Sequence, residues 1–152
     1  GPQQVGAIGR SQTYPYSNLL WANMQPADPG RNGNWNGHDY FVPEFSCHGA
    51  GLDCVAPGVA IISNAPLDTA YPTATSDFPF VAKDGTSMAS PWVCGYLATV
   101  LSDNADYRWR TNRKDRAAKA RQIFDSIPTT NLGIADGNLL GRRGGMLYPG
   151  MP

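Results

Sequence analysis

Ser87 stands in the string Gly85-Thr-Ser-Met-Ala-Ser-Pro91, between small residues at the point where an uncharged apolar run begins. If that run is a helix, the hydroxyl lies among amide hydrogens that have no intrahelical partner, at the positive end of the helix dipole. Such donors stabilise an oxyanion, the charge that develops when a serine attacks a carbonyl. Small neighbours leave room for a substrate chain to approach. The same letters also describe a plain helix cap, because serine and threonine are preferred there. Catalysis further requires a base to take the hydroxyl proton and a third group to orient that base. Neither histidine has a spacing that marks it for this work. His48 and His38, the latter in Asn36-Gly-His-Asp39, read as structural or loop residues.

Two other groups of residues hint at chemistry. Asn32-Gly-Asn-Trp-Asn-Gly37 imitates the start of a calcium loop, in which side-chain oxygens alternate around the ion. All three would-be ligands are neutral and Pro43 falls where the closing Glu belongs, so a turn-rich loop explains the same letters; structural calcium stays open and no other metal site is expected. Cys47, Cys54 and Cys94 lack zinc spacing and cannot all pair within the chain. Buried thiols, with Cys94 in the core, or a Cys47 to Cys54 disulfide are the two readings.

The elements that must position Ser87 follow from periodicity. Gln4 to Gly9 is a short apolar run bounded by glycine and suits a buried strand. Leu52 to Ala56 and Val59 to Ser63 read as strands split by Pro57-Gly58, and Phe78 to Lys83 as a strand or extended approach. Ser87 to Leu101 carries no charge over four turns, so as a helix it should be buried on most sides, with Pro91 tolerated near its start. Asp115 to Ile127 places Ala117, Ala120, Ile123, Phe124 and Ile127 at helical spacing and is ended by Pro128. Met146-Leu-Tyr148 is a last short strand. Between Arg10 and Phe45 lies a long stretch rich in Asn, Gly, Pro and aromatics, a length that in a compact domain signals a functional or partner-covering loop.

Composition bounds the class. The 152 residues suit one domain, and 12 basic residues balance 12 acidic ones, which excludes a polybasic nucleic-acid binder. No apolar run reaches membrane-spanning length and the first residues lack a basic start, so a soluble chain without a secretory leader is expected. Charge is uneven. Residues 1–105 hold three bases against eight acids and residues 106–152 nine against four, so the two parts can attract. Seven of those bases fall between Asp106 and Arg121, where a solvated helical face is the simplest reading.

The segment Gly85 to Gly95, GTSMASPWVCG, resembles the serine motif of the subtilisin-like proteases (subtilases), G-T-S-M-A-x-P-x-V-x-G, at every fixed position. Upstream, Phe45-Ser-Cys-His-Gly49 and Leu52-Asp-Cys-Val-Ala-Pro-Gly58 are similar to the family's F-S-x-x-G and D-V-x-A-P-G, with Cys54 where a small apolar residue is usual. Val5 to Gly9 resembles the preceding strand, and Gly144 to Tyr148 loosely resembles the family's closing segment. This resemblance implies an α/β fold: the C-terminal part of a subtilisin-like three-layer architecture with a mostly parallel sheet. Residues 1–152 would be that part of one catalytic domain, with a long loop insertion at about 10–44.

It also implies a serine endopeptidase that cuts protein or peptide substrates through an acyl-enzyme on Ser87. The Ser87 amide would be one oxyanion donor, while Gly85, Thr86 and Met88 would shape the approach. The family's Asp and His motifs and its oxyanion Asn do not occur in these 152 residues. A separate N-terminal chain is therefore expected to supply them and to cover a sheet edge otherwise left open beside Val5 to Gly9; without it the chain should be almost inert. The resemblance suggests a secreted or extracellular protein. A non-catalytic subtilase-like binding or structural module is the other reading.

Overall fold

In a computed structural model, the structure describes residues 3–10, 40–43, 45–64, 80–130, 132, 134, 141–143 and 145–147. Its central sheet contains β1 (Val5–Arg10), β2 (Tyr40–Phe41), β3 (Cys54–Pro57), β6 (Thr129–Thr130) and β7 (Met146–Leu147), in the order β2-β1-β3-β7-β6. β1, β3 and β7 run parallel, and β2 and β6 close the two sides antiparallel. A separate hairpin pairs β4 (Ile61–Asn64) with β5 (Phe80–Lys83). Three helices follow, α1 (Thr86–Asp103), α2 (Ala105–Arg108) and α3 (Arg113–Ser126). The architecture is α/β, as expected.

Strand alternation sorts side chains to the two faces of this sheet. Ala7, Cys54 and Ala56 are buried on one face against Ala89 and Val93 of α1 and Phe124 of α3. Ile8 and Val55 are buried on the other with Val42, Leu52, Leu132 and Ile134. Small residues on the helix side let α1 approach the strands closely. The calcium-like stretch, His38 and most of the long loop lie outside the described residues.

Three expectations change. The edge of β1 is covered in part: β2 pairs with Gly9 and Arg10, and upstream the Ala7 amide donates to the Ser46 hydroxyl at 2.9 Å. Helix α1 is not buried on most sides, because one stripe, Ala89 and Val93, faces the sheet, while Pro91, Cys94, Gly95 and Ala98 are exposed. Cys94 is therefore not a core residue; it lies on the face turned away from the strands. Cys47 is exposed too, whereas Cys54 is buried, and all three thiols are free. Burial pushes the Cys54 thiol up to about 11, so it is inert at neutral pH.

At the amino-terminal end of β3 the uneven charges meet. One oxygen of the nearly buried Asp53 carboxylate accepts from Arg121 of α3 at 2.9 Å and from Arg142 at 2.5 Å, and the other accepts from the Gln4 amide at 3.0 Å. Arg121 is thus more than part of a solvated face. Asp125 also bonds Arg121 and Arg142, and the Arg143 guanidinium covers the Phe124 ring and donates to the carbonyls of Phe124 and Ile127. Burial works to raise the Asp53 carboxyl, yet the Gln4 amide and the two arginines hold it below its ordinary value.

Candidate active site

The start of α1 is tied to the far ends of β1 and β3. Gly58, just past β3, donates its amide to the Ile8 carbonyl at 2.9 Å, and its own carbonyl accepts the Gly85 amide at 2.8 Å. A Cβ on Gly58 would lie 2.6 Å from the Ala7 Cβ and 2.8 Å from the Gly85 oxygen, so this seam admits only glycine. Gly85 itself takes φ 153°, ψ 156°, a region open essentially to glycine alone. Its carbonyl then accepts the Met88 amide at 3.0 Å and begins the helix.

The plain-cap reading of Ser87 does not hold. Gly85 occupies the cap position and Ser87 is the second helical residue, exposed, with Met88 Sδ 4.0 Å from its Oγ. Among the described residues the Thr86 and Ser87 amides make no hydrogen bond. Among the described residues the helix therefore presents two unused donors and its positive dipole end beside an exposed hydroxyl whose recorded contact is a weak one to the Met88 sulfur. Thr86 and Met88 are half-buried at its sides.

Ser87 opens into a cleft of about 540 Å³ between α1 and the β4–β5 hairpin. Ile61, Ile62 and Val81 form one wall, and Met88, Pro91 and Trp92 the other. The walls are mostly apolar, and Ile62 is 50% exposed. A chain of protein groups can reach the hydroxyl through this opening, which an acyl-transfer site requires.

Among the described residues His48 makes no hydrogen bond to Ser87. Its segment adjoins the other end of the sheet: the Leu52 amide bonds the Gly49 carbonyl, the Asp53 amide bonds Gln4, and Nδ1 of the exposed His48 lies 3.4 Å from the Ser46 carbonyl. Among the described residues no side chain that titrates as a base hydrogen-bonds Ser87, and no three metal-ligating side chains converge.

Sequence reasoning passed over Ala60 and Asp84. The Ala60 amide donates to Asp84 Oδ1 at 2.6 Å, just behind Gly85. The Asp84-Gly85 pair is a turn signal that would have pointed to this corner.

With the geometry established, relatives place the chain. The model of the subtilase family matches residues 33–136, and the protein belongs to that family. It is 35% identical over 97 residues to M-protease of Shouchella clausii (strain KSM-K16), a match covering 64% of this chain and 20% of that protein. It is 43% identical over 63 residues to subtilisin BL of Lederbergia lenta, 41% of this chain and 20% of the relative. To subtilisin DY of Bacillus licheniformis it is 34% identical over 83 residues, covering 55% and 27%. The matched stretches thus span a fifth to about a quarter of these relatives. No helix among the described residues is long and apolar enough to cross a membrane.

Proposed function

We propose that these residues are the nucleophile-bearing part of a subtilisin-like serine endopeptidase, with residues 1–152 forming the C-terminal part of its catalytic domain. The observation that carries this reading is the exposed Ser87 hydroxyl, set at a helix start with two amides unbonded among the described residues and opening into an apolar cleft. Ser87 attacks the scissile carbonyl, and its own amide is one donor to the oxyanion. Gly85 sets the backbone path, and Thr86 and Met88 bound the approach.

The base, its orienting carboxylate and the second oxyanion donor come from outside these 152 residues, in our reading from a separate N-terminal chain of the same protease. The half-exposed, uncharged face of α1 supports this, since a face with Cys94, Gly95 and Ala98 at its surface suits cover by further protein. The insertion at about 10–44 and an extracellular setting belong to the same proposal, as does inactivity of the chain alone.

A fluorophosphonate probe tests it. In the protease purified with its remaining portion, Ser87 becomes labelled, and Ser87→Ala abolishes labelling and lowers peptide hydrolysis by roughly 10⁴-fold or more. Because Ser87 is exposed, the same change leaves stability within about 0.5 kcal/mol. An unlabelled Ser87 in the complete assembly would instead favour a non-catalytic binding or structural module.

A further inference from the structure

Behind the proposed nucleophile, the hairpin closes in an unusual way. β4 and β5 pair from Asn64↔Phe80 down to Ile61↔Lys83. The next residue, Ala60, has φ 55°, a left-handed conformation that a residue with a side chain rarely adopts. The ladder ends there, and the Asp84 carboxylate, rather than a backbone carbonyl, accepts the Ala60 amide at 2.6 Å. One step further, the Gly85 amide bonds the Gly58 carbonyl at 2.8 Å. Two short bonds therefore join Gly58–Ala60 to Asp84–Gly85, and Ser87 projects two residues past the second.

We propose that Asp84 is a positioning residue for Ser87: by accepting the Ala60 amide it holds the left-handed turn, and so fixes the Gly58–Gly85 seam from which the nucleophile is presented. This rests on Ser87 being the nucleophile. Asp84 does not touch the reacting atoms. Loss of the bond frees Ala60 to relax toward ordinary φ, which draws Gly58 and hence Gly85 out of register. A hydroxyl shifted by a fraction of an ångström meets its base and substrate in poorer geometry.

The test uses the protease with its remaining portion and two readings, the rate of fluorophosphonate labelling of Ser87 and hydrogen exchange of the Ala60 and Gly85 amides. Asp84→Ala is expected to slow labelling roughly fivefold, the equivalent of one net hydrogen bond, and to speed exchange at both amides. Asp84→Asn, which keeps the acceptor and removes the charge, should stay within about twofold of wild type on both. Ala60→Gly placed in the Asp84→Ala background should recover at least half the lost labelling rate, since glycine adopts the turn unaided. Wild-type rates in Asp84→Ala overturn the proposal. So does a slowed Asp84→Ala that Ala60→Gly fails to recover, or an Asn variant as slow as the Ala variant. If wild-type Ser87 takes no label, the nucleophile assignment fails by itself, and unchanged exchange in Asp84→Ala would sink the brace separately.

Discussion

β3 meets two different environments at its two ends. At the amino-terminal end, Asp53 gathers Gln4, Arg121 and Arg142, Arg143 covers Phe124, and the neighbouring polar groups find partners. At the carboxyl-terminal end, the strand runs through Gly58, which bonds a helix start whose first amides have no partner among the described residues, beside an exposed serine and an apolar cleft. One end is closed and satisfied; the other is left open. Charged groups paired in a protected corner fasten a fold, whereas unused donors beside a hydroxyl store the capacity to stabilise a charge that has yet to form. Stability and reactivity should therefore separate along this strand.

Three substitutions probe that division. Phe124→Ala, in the closed region, removes a fully buried ring and should cost about 4 kcal/mol in denaturant unfolding. Ser87 labelling in molecules that remain folded should be unchanged. A loss of labelling in step with the lost stability would mean that the two ends are not independent.

Asp53→Asn should cost about 2 kcal/mol, less than a fully enclosed pair, because the arginine partners are 35% and 40% exposed. Since the folded carboxyl lies below its ordinary value, the charged form contributes fully above the unfolded carboxylate range, near pH 4. That contribution disappears as the pH falls through the lowered value. Acid titration of stability should accordingly be shallower below about pH 4 in Asp53→Asn than in wild type. Asp125, held low by Arg142 and Arg121 against the opposing effect of burial, adds in the same direction. An identical acid limb in the two proteins would remove Asp53 from the account.

Gly85→Ala acts at the open end and has the smallest effect on stability, about 1–2 kcal/mol of backbone strain. Its effect on Ser87 labelling should exceed its effect on melting, because the strain falls two residues from the hydroxyl. If melting falls and labelling is retained, Gly85 matters to the fold alone.

Much of this is legible in the sequence. The apolar, glycine-bounded run at Val5 became β1, and the uncharged run beginning near Ser87 became α1, extended to Thr86–Asp103. The amphipathic pattern at Asp115 became α3, which starts two residues earlier because Asn112 caps it by accepting the Lys114 amide. Legibility failed where a partner distant in sequence decides. β2 and β6 have two residues each and exist only by pairing with β1 and β7. β4 begins at Ile61 rather than Val59, because the left-handed Ala60 lies in between. The basic stretch read as solvated, yet Arg121 turned inward to a carboxylate 68 residues away.

Local letters alone were sufficient for the setting of Ser87. Small residues before an apolar helix, a glycine able to take a backbone shape closed to other residues, and a motif shared with a protease family are short-range properties, encoded within a dozen positions. The tertiary structure decided everything that depends on distance. Among the described residues it left His48 with no hydrogen bond to Ser87, made Gly85 rather than Ser87 the cap, left one side of α1 uncovered and joined Asp53 to two arginines. The physical reason is that chemistry needs groups within a few ångströms, and only chain folding, driven by burial and hydrogen-bond satisfaction over the whole sheet, brings residues so far apart in sequence to that range or keeps them from it.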